Sequence, residues 1–482
     1  MLDFRPVLYI IGILLTTLAA AMCAPLVADL VVGHPDWQVF AGSAGLTAFI
    51  GITLMLTTLA PPERFSVRQA FVLTTLSWLA MTLFAALPFA FANLELSFTD
   101  AFFEAMSGLT TTGSTVITSL DSAPSGILLW RAILQWLGGI GIIVMSIAIL
   151  PMLKIGGNQL FQMESSDRSE KVLPRVAQIA SGVGFVYLAL TAGCAALLWL
   201  AGLKGFDAIA HGMTTIATGG FSTRDGSVGA FLNPLVEIII TCFMVLGALP
   251  FVLYLQAVRG KPLVILRDNQ VRWFFWIVTF FVLSVTIAHH ANNDIGIFRA
   301  LRESAFNVVS IITGTGFSSA NYADWGAFAT GVFFFIMFIG GCAGSTTCSI
   351  KIFRYQVLYE TAKMQMKHLI RPHGIFIATF NGQPISDEVE NSVMSFFFLF
   401  MLTFAVLAGL LHFIGLDFLT AISAAASAIC NVGPALGDII GPAGNYSSLP
   451  DPAKWVLSAG MLLGRLELFT VLVLFAPWFW RG

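Results

Sequence analysis

"FEAMSGLTTTGSTVITSLD" (residues 103–121) breaks a strongly apolar chain with a run of threonines, two glycines and two acids, and it holds no lysine or arginine. Its surroundings decide what it can be. The chain has 482 residues, of which 57% are hydrophobic and 10% charged, with a mean hydropathy of +0.86. Soluble domains carry about 25% charged residues, so the composition is that of a polytopic membrane protein. The 43 Phe and 44 Gly suit lipid-facing bulk and close helix contacts. A net charge of −2 says nothing for nucleic acid, which is not expected as a partner. The six cysteines (Cys23, Cys194, Cys242, Cys342, Cys348, Cys430) lack metal-ligand spacing and read as small apolar residues.

Apolar stretches near 8–31, 38–60, 69–92, 127–152, 179–203, 232–257, 273–290, 327–351, 392–415 and 453–480 predict about ten spanning helices. The stretch 4–31, with "LAAAMC", faintly resembles a cleaved leader, but Met precedes Cys23 and the run is long enough to span, so it reads as the first membrane helix. The connections with Arg64 and Arg68, Lys154 to Arg175, Arg259 to Arg272, and Lys351 to Arg371 hold most of the basic residues. The positive-inside rule makes them, and both termini, cytoplasmic.

The opposite connections repeat. "TDAFFEAMSGLTTTG" (99–113), "FDAIAHGMTTIATGG" (206–220), "RESAFNVVSIITGTG" (302–316) and "LTAISAAASAICNVG" (419–433) align without gaps and end at Gly113, Gly220, Gly316 and Gly433. Their second positions, Asp100, Asp207, Glu303 and Thr420, suit a helix N-terminus. The expected fold is all-α and membrane-embedded, with two N-terminal transmembrane helices (1–66) and four tandem helix–pore loop–helix repeats. Their expected bounds are 67–153, 176–258, 271–354 and 390–482, arranged pseudo-fourfold around one pore.

A dozen apolar residues cannot cross a bilayer. Such a segment enters and returns, and its backbone is tolerated only beside protein or water. Four returning loops on one axis satisfy this together if their carbonyls face a cation. Glycine permits the turns, threonine adds hydroxyl oxygens, and the negative ends of the half-helices favour a cation at the centre.

Read with "GLTTTGST", "IATGGFST", "IITGTGFSS", "NVGPALG", "GGCAGSTTCSIKIFR" and "GMLLGRLELF", nearly the whole chain resembles the transmembrane subunit of bacterial Trk-type potassium uptake systems, kin of the Ktr and fungal Trk proteins. The resemblance implies potassium uptake through a pore whose selectivity filter is Thr111, Thr112 and Gly113; Thr218, Gly219 and Gly220; Gly314, Thr315 and Gly316; and Asn431, Val432 and Gly433. K+ is the transported ion and no organic cofactor is expected. The resemblance also implies a cytoplasmic nucleotide-binding regulatory subunit, a homodimer and the bacterial inner membrane. The third loop departs from the family by carrying Gly314 where many relatives have Thr.

Each repeat's second helix carries a glycine (Gly138, Gly247, Gly340, Gly464) that reads equally as a helix contact or as a bending point. In "GGCAGSTTCS" (340–349), Gly340, Gly341 and Gly344 with Ser345, Thr346 and Thr347 remove helix propensity by about 1 kcal/mol per glycine. A gating loop beneath the filter is expected there. Arg465, inside the last span, costs ~2.5–3.5 kcal/mol on insertion scales and needs a partner or a cavity. The resemblance places it in the pore. Lys351 reads either as part of the gate or as a topogenic charge. Asp100, Glu104, Asp121, Asp207, Asp225, Glu303, Asp324, Asp417 and Asp438 flank the loops and suggest an acidic mouth. An ion-coupled symporter with alternating access is the alternative. No nucleophile, dyad or metal cluster suggests an enzyme.

Overall fold

The computed structural model describes residues 3–59, 66–148 and 172–481. The ends of the expected spans 38–60 and 127–152, and most of the connection 153–175, lie outside them.

Two long helices, Arg5–Val32 and Trp37–Thr57, form an antiparallel hairpin turned at Gly33. They approach closely because Gly12 and Gly51 face each other: a methyl on Gly12 would lie 2.7 Å from the Gly51 carbonyl oxygen. The hairpin packs on the first repeat, where buried Asp29 accepts the Gly126 amide at 2.6 Å and so tends the start of the helix Ser125–Ala148.

Four outer helices follow, Val67–Ala85, Val172–Leu200, Asn269–Asn293 and Asp387–Phe413. Each leads into a half-length pore helix: Phe98–Leu109, Gly205–Ile216, Ile297–Ile312 and Phe418–Cys430. Large apolar side chains on the outer helices, such as Phe185, Trp276, Phe280 and Phe398, stay exposed. On a soluble protein such a surface invites association; in a bilayer it is the lipid face.

The four inner helices differ. Ser125–Ala148 runs straight through Gly138. Pro234–Gly247 turns by 93° into Phe251–Val258. Pro250, lacking an N–H and disfavouring α conformation before it, makes the break. The third inner helix stops after Ala327–Ile336, and residues 340–349 are irregular, as their glycines predict. Asp451–Arg465 turns by 114° into Leu468–Phe475 around Glu467, whose φ is +62°. Among the described residues, seven helices are long and apolar enough to cross a membrane, nine if each bent pair is one span, and the tenth expected span, 327–351, holds only the short helix Ala327–Ile336 before the irregular segment.

One expectation needs correction. The acids at the second aligned position do not uniformly cap the pore helices. Asp100 joins a capping box with Ser97, but the fourth helix is capped by Asp417, and the third begins at Ile297, so Glu303 lies well inside it. Asp207 instead binds the Thr223 hydroxyl at 2.6 Å and Arg224 at 3.0 Å.

Candidate functional site: a ring of four re-entrant loops

Every pore helix ends the same way. The amides of Thr112, Gly219, Thr315 and Val432 bond back to the carbonyls of Ser107, Thr214, Ser310 and Ser427 at 2.8–3.0 Å. The residue before each, Thr111, Thr218, Gly314 and Asn431, is left-handed, with φ of 53°, 49°, 66° and 52°. This is the six-to-one Schellman termination of a helix, in which glycine is the unstrained choice. The departure at Gly314 thus keeps the backbone of its three counterparts and relieves a cost of roughly 1–2 kcal/mol that a side chain incurs there.

Two residues further on, Gly113, Gly220, Gly316 and Gly433 are left-handed again, with φ of 89°, 77°, 82° and 104°. Left-handed residues at alternate positions aim successive carbonyls to one side of the loop, as an oxygen-lined ion path requires. The loops also close on one another. A methyl on Gly113 would meet the carbonyl oxygen of Gly219, one on Gly220 that of Thr315, one on Gly316 that of Val432, and one on Gly433 that of Thr112. The order first, second, third, fourth and back to first closes a ring. Eight of the twelve triplet residues make these four contacts, and a methyl on Gly314 would lie 3.4 Å from the Asn431 carbonyl oxygen.

The hydroxyls do other work. Thr112 pairs with Thr110 at 2.7 Å and accepts the Asn431 amide at 2.9 Å; Thr315 pairs with Thr313 at 2.8 Å. They brace the loops.

The acids were misread as a mouth in part. Glu104 is fully buried, bonded to Arg131 Nε at 2.7 Å, the Val116 amide at 2.9 Å and the Thr115 hydroxyl. Arg131 also donates to the Ser222 carbonyl at 2.7 Å and lies 4.0 Å from the Phe221 ring centroid, tying the first loop to the second. Arg302 pairs with Glu237 at 2.9 Å between the second and third repeats, and Lys454 with Asp100 at 2.5 Å between the fourth and first. Glu237 and Asp100 thus join neighbouring repeats, and Glu104 holds the arginine that reaches the second loop. His211 is packed between the Asp207 carbonyl and the Ser222 hydroxyl. A buried pair broken on one side costs about 3–5 kcal/mol. Arg131→Met is therefore expected to lower the thermal midpoint in detergent far more than Arg224→Ala, whose side chain is 29% exposed.

Three of the inner-helix glycines are contact points. Gly138, Gly247 and Gly464 pack against the carbonyls of Leu109, Ile216 and Ile429, the last turns of three pore helices. Gly247 and Gly464 also stand at the two bends, so both readings hold there.

The irregular third-repeat segment lies under the ring and against the broken second inner helix. Cys342 N donates to the Ala248 carbonyl at 3.1 Å, Thr346 hydroxyl to Gly247 at 3.0 Å, and Phe251 N to Gly344 at 2.9 Å. Ser345 pairs with Thr347 at 2.7 Å, and Gly340 N donates to the Ile350 carbonyl at 2.9 Å. Broken helix and irregular segment thus satisfy one another, as membrane depth demands.

Arg465 reaches this segment. It donates to the Thr346 carbonyl at 3.2 Å and to the Gly138 carbonyl at 2.9 Å, and its NH1 also meets Cys348 Sγ. Cys348, expected to be inert filler, stands between Arg465 and the Thr111 hydroxyl. Glu467 pairs with Arg354 at 2.5 Å, not with Arg465. Lys351 lines the same small cavity as Arg354, Arg465 and Glu467, so it belongs to the space beneath the ring. Gln135 has no place in the sequence reading, and Arg131 and Arg354 enter it only as topogenic charges, although polar residues in or beside apolar spans were the available signal.

The chain thus brings the four loops that follow its half-length helices into one closed ring. Residues 38–481 match the family described as "TrkH: Cation transport protein". The chain is 45% identical over 479 residues to the Trk system potassium uptake protein TrkI of Halomonas elongata, covering 99% of this chain and 97% of the relative. It is 37% identical to the Trk system potassium uptake protein TrkH of Vibrio parahaemolyticus, covering both chains fully. The crystal structure of the potassium transporter TrkH from Vibrio parahaemolyticus superposes with a TM-score of 0.92 at 36% identity, again over all of both chains. The chain belongs to the TrkH family of cation transport proteins.

Proposed function

We propose that this chain is the membrane subunit of a bacterial potassium uptake system and conducts K+ through the ring of four loops. The closure of that ring, glycine against the neighbouring carbonyl at all four junctions, carries the reading. The relatives' names support potassium as the ion. In this reading the repeats take the bounds 67–153, 176–258, 271–354 and 390–482, and residues 1–66 brace the first. The carbonyls of Thr111 to Gly113, Thr218 to Gly220, Gly314 to Gly316 and Asn431 to Gly433 replace the ion's hydration shell.

The segment from Gly340 to Lys351 obstructs the path below, with Arg465 as its clasp and Lys351 adding positive charge. A cytoplasmic nucleotide-binding subunit moves that segment, in a homodimer of the inner membrane with both termini inside. The orientation is supported by the excess of Lys and Arg in the connections opposite the pore helices.

Proteoliposomes test the obstruction. Deleting Gly341 to Ser345 is expected to raise Rb+ flux, and a fall in flux with the protein still folded would count against a gate. Single-channel recording tests the mode of transport: currents of many ions per opening are expected, and their absence despite Rb+ flux would favour alternating access.

A further inference from the structure

Each loop of the ring is held from behind, and not by the same means. The first and third use hydroxyl pairs, Thr110 with Thr112 and Thr313 with Thr315. The fourth has Cys430 and Val432 at those positions and is held at Gly433, whose carbonyl accepts the hydroxyls of Ser114 and Ser427 at 2.9 Å and of Tyr446 at 2.8 Å. The second has Ala217 and Gly219 there, so it owns no such anchor.

Gln135 supplies it from the first repeat's inner helix. This residue is fully buried; its Oε1 accepts the Phe221 amide at 3.0 Å and its Nε2 donates to the Gly219 carbonyl. Phe221 offers only a donor and Gly219 only an acceptor, so one orientation of the carboxamide satisfies both. Gly219 is outside the left-handed region, and a methyl on it would run into the carboxamide. Space, not backbone, keeps a side chain out: the Gln135 carboxamide stands where the loop's own side chain would be.

We infer that Gln135 is a specificity-determining positioning residue, which fixes the Gly219 carbonyl and spans Gly220 from both sides. The inference rests on the filter reading above. Two adjacent glycines are the most pliable quarter of the ring. A carbonyl released there closes more readily on a smaller, more strongly hydrated ion, so discrimination falls before conduction does.

The test is Na+ and Rb+ flux into proteoliposomes. Gln135→Met keeps the bulk and removes both bonds. It is expected to raise the Na+ to Rb+ flux ratio about fivefold, the effect of one buried hydrogen bond. The triple change Gln135→Ala, Ala217→Thr, Gly219→Thr gives the loop a hydroxyl pair like those of the first and third, and is expected to lower the ratio again. An unchanged ratio in Gln135→Met, or a triple variant as unselective as Gln135→Met, overturns the inference. Gln135→Leu carries the same expectation if Gln135→Met is not recovered folded. Gly316→Ser, run alongside, separates the two claims. If it changes flux and Gln135→Met leaves the ratio alone, only the role of Gln135 fails. If neither variant has any effect, the filter reading fails with it.

Discussion

Gly316→Ser is expected to cut Rb+ flux into proteoliposomes at least about tenfold and to degrade what discrimination against Na+ remains. Gly316 has a φ of 82°, which costs a residue with a side chain roughly 1–2 kcal/mol. The larger penalty is spatial. The new Cβ would collide with the Val432 carbonyl oxygen and lie 2.8 Å from Pro434 Cδ. Neither neighbour can retreat cheaply, since Val432 is itself one of the ring's carbonyl residues and is buried. The third and fourth loops must separate, and in the proposed filter the oxygens that would match the ion separate with them. Permeability and selectivity both unchanged, in protein that elutes as wild type, would remove this site from consideration.

Arg465→Ala is expected to act in the opposite direction, raising open probability or Rb+ flux about tenfold or more, since a hydrogen bond from a charged donor contributes about 1.5–3 kcal/mol. The guanidinium bonds the Thr346 carbonyl of the irregular segment and the Gly138 carbonyl of the first inner helix at once. It therefore ties the segment to the first inner helix. Among the described residues no carboxylate pairs with it, Glu467 being bonded to Arg354, so in the proposed pore its charge would stand where cations pass. Removing it loosens the segment and lowers the electrostatic barrier together. Glu467→Gln serves as the contrast: it removes the negative charge that faces the buried Arg354 guanidinium at 2.5 Å and should cost stability. Reduced flux in folded Arg465→Ala protein would mean that the arginine supports conduction.

The repeat was legible because each copy ends on a glycine that no other residue replaces well, at a spacing constant enough to align. The collapse of helix over 340–349 followed from local chemistry in the same way, whereas the bend before Phe251 lies inside what reads as the single span 232–257, although Pro250 was the available signal. What could not be read were pairings across distance. Glu104 looks like a mouth acid until Arg131, on the next helix, is seen to reach it. Thr112 looks like a ligand hydroxyl until Thr110 and Asn431 are found to hold it. Gly314 looked like a departure, yet the Schellman turn makes it the relaxed member of its set. The 114° bend at Arg465 has no proline to announce it, and the left-handed Glu467 at the turn is set by tertiary contacts. Gln135 had a visible signal, an amide in an apolar span, but its meaning depends on the missing side chain of Gly219 two helices away.

The most direct measurement is the anomalous signal of Tl+, a heavy stand-in for K+, in crystals of the full chain. The account predicts Tl+ on the axis, between the carbonyls of Thr112, Gly219, Thr315 and Val432, lost when K+ is added in excess. Tl+ bound elsewhere with that ring empty, or bound there and indifferent to K+, would contradict it.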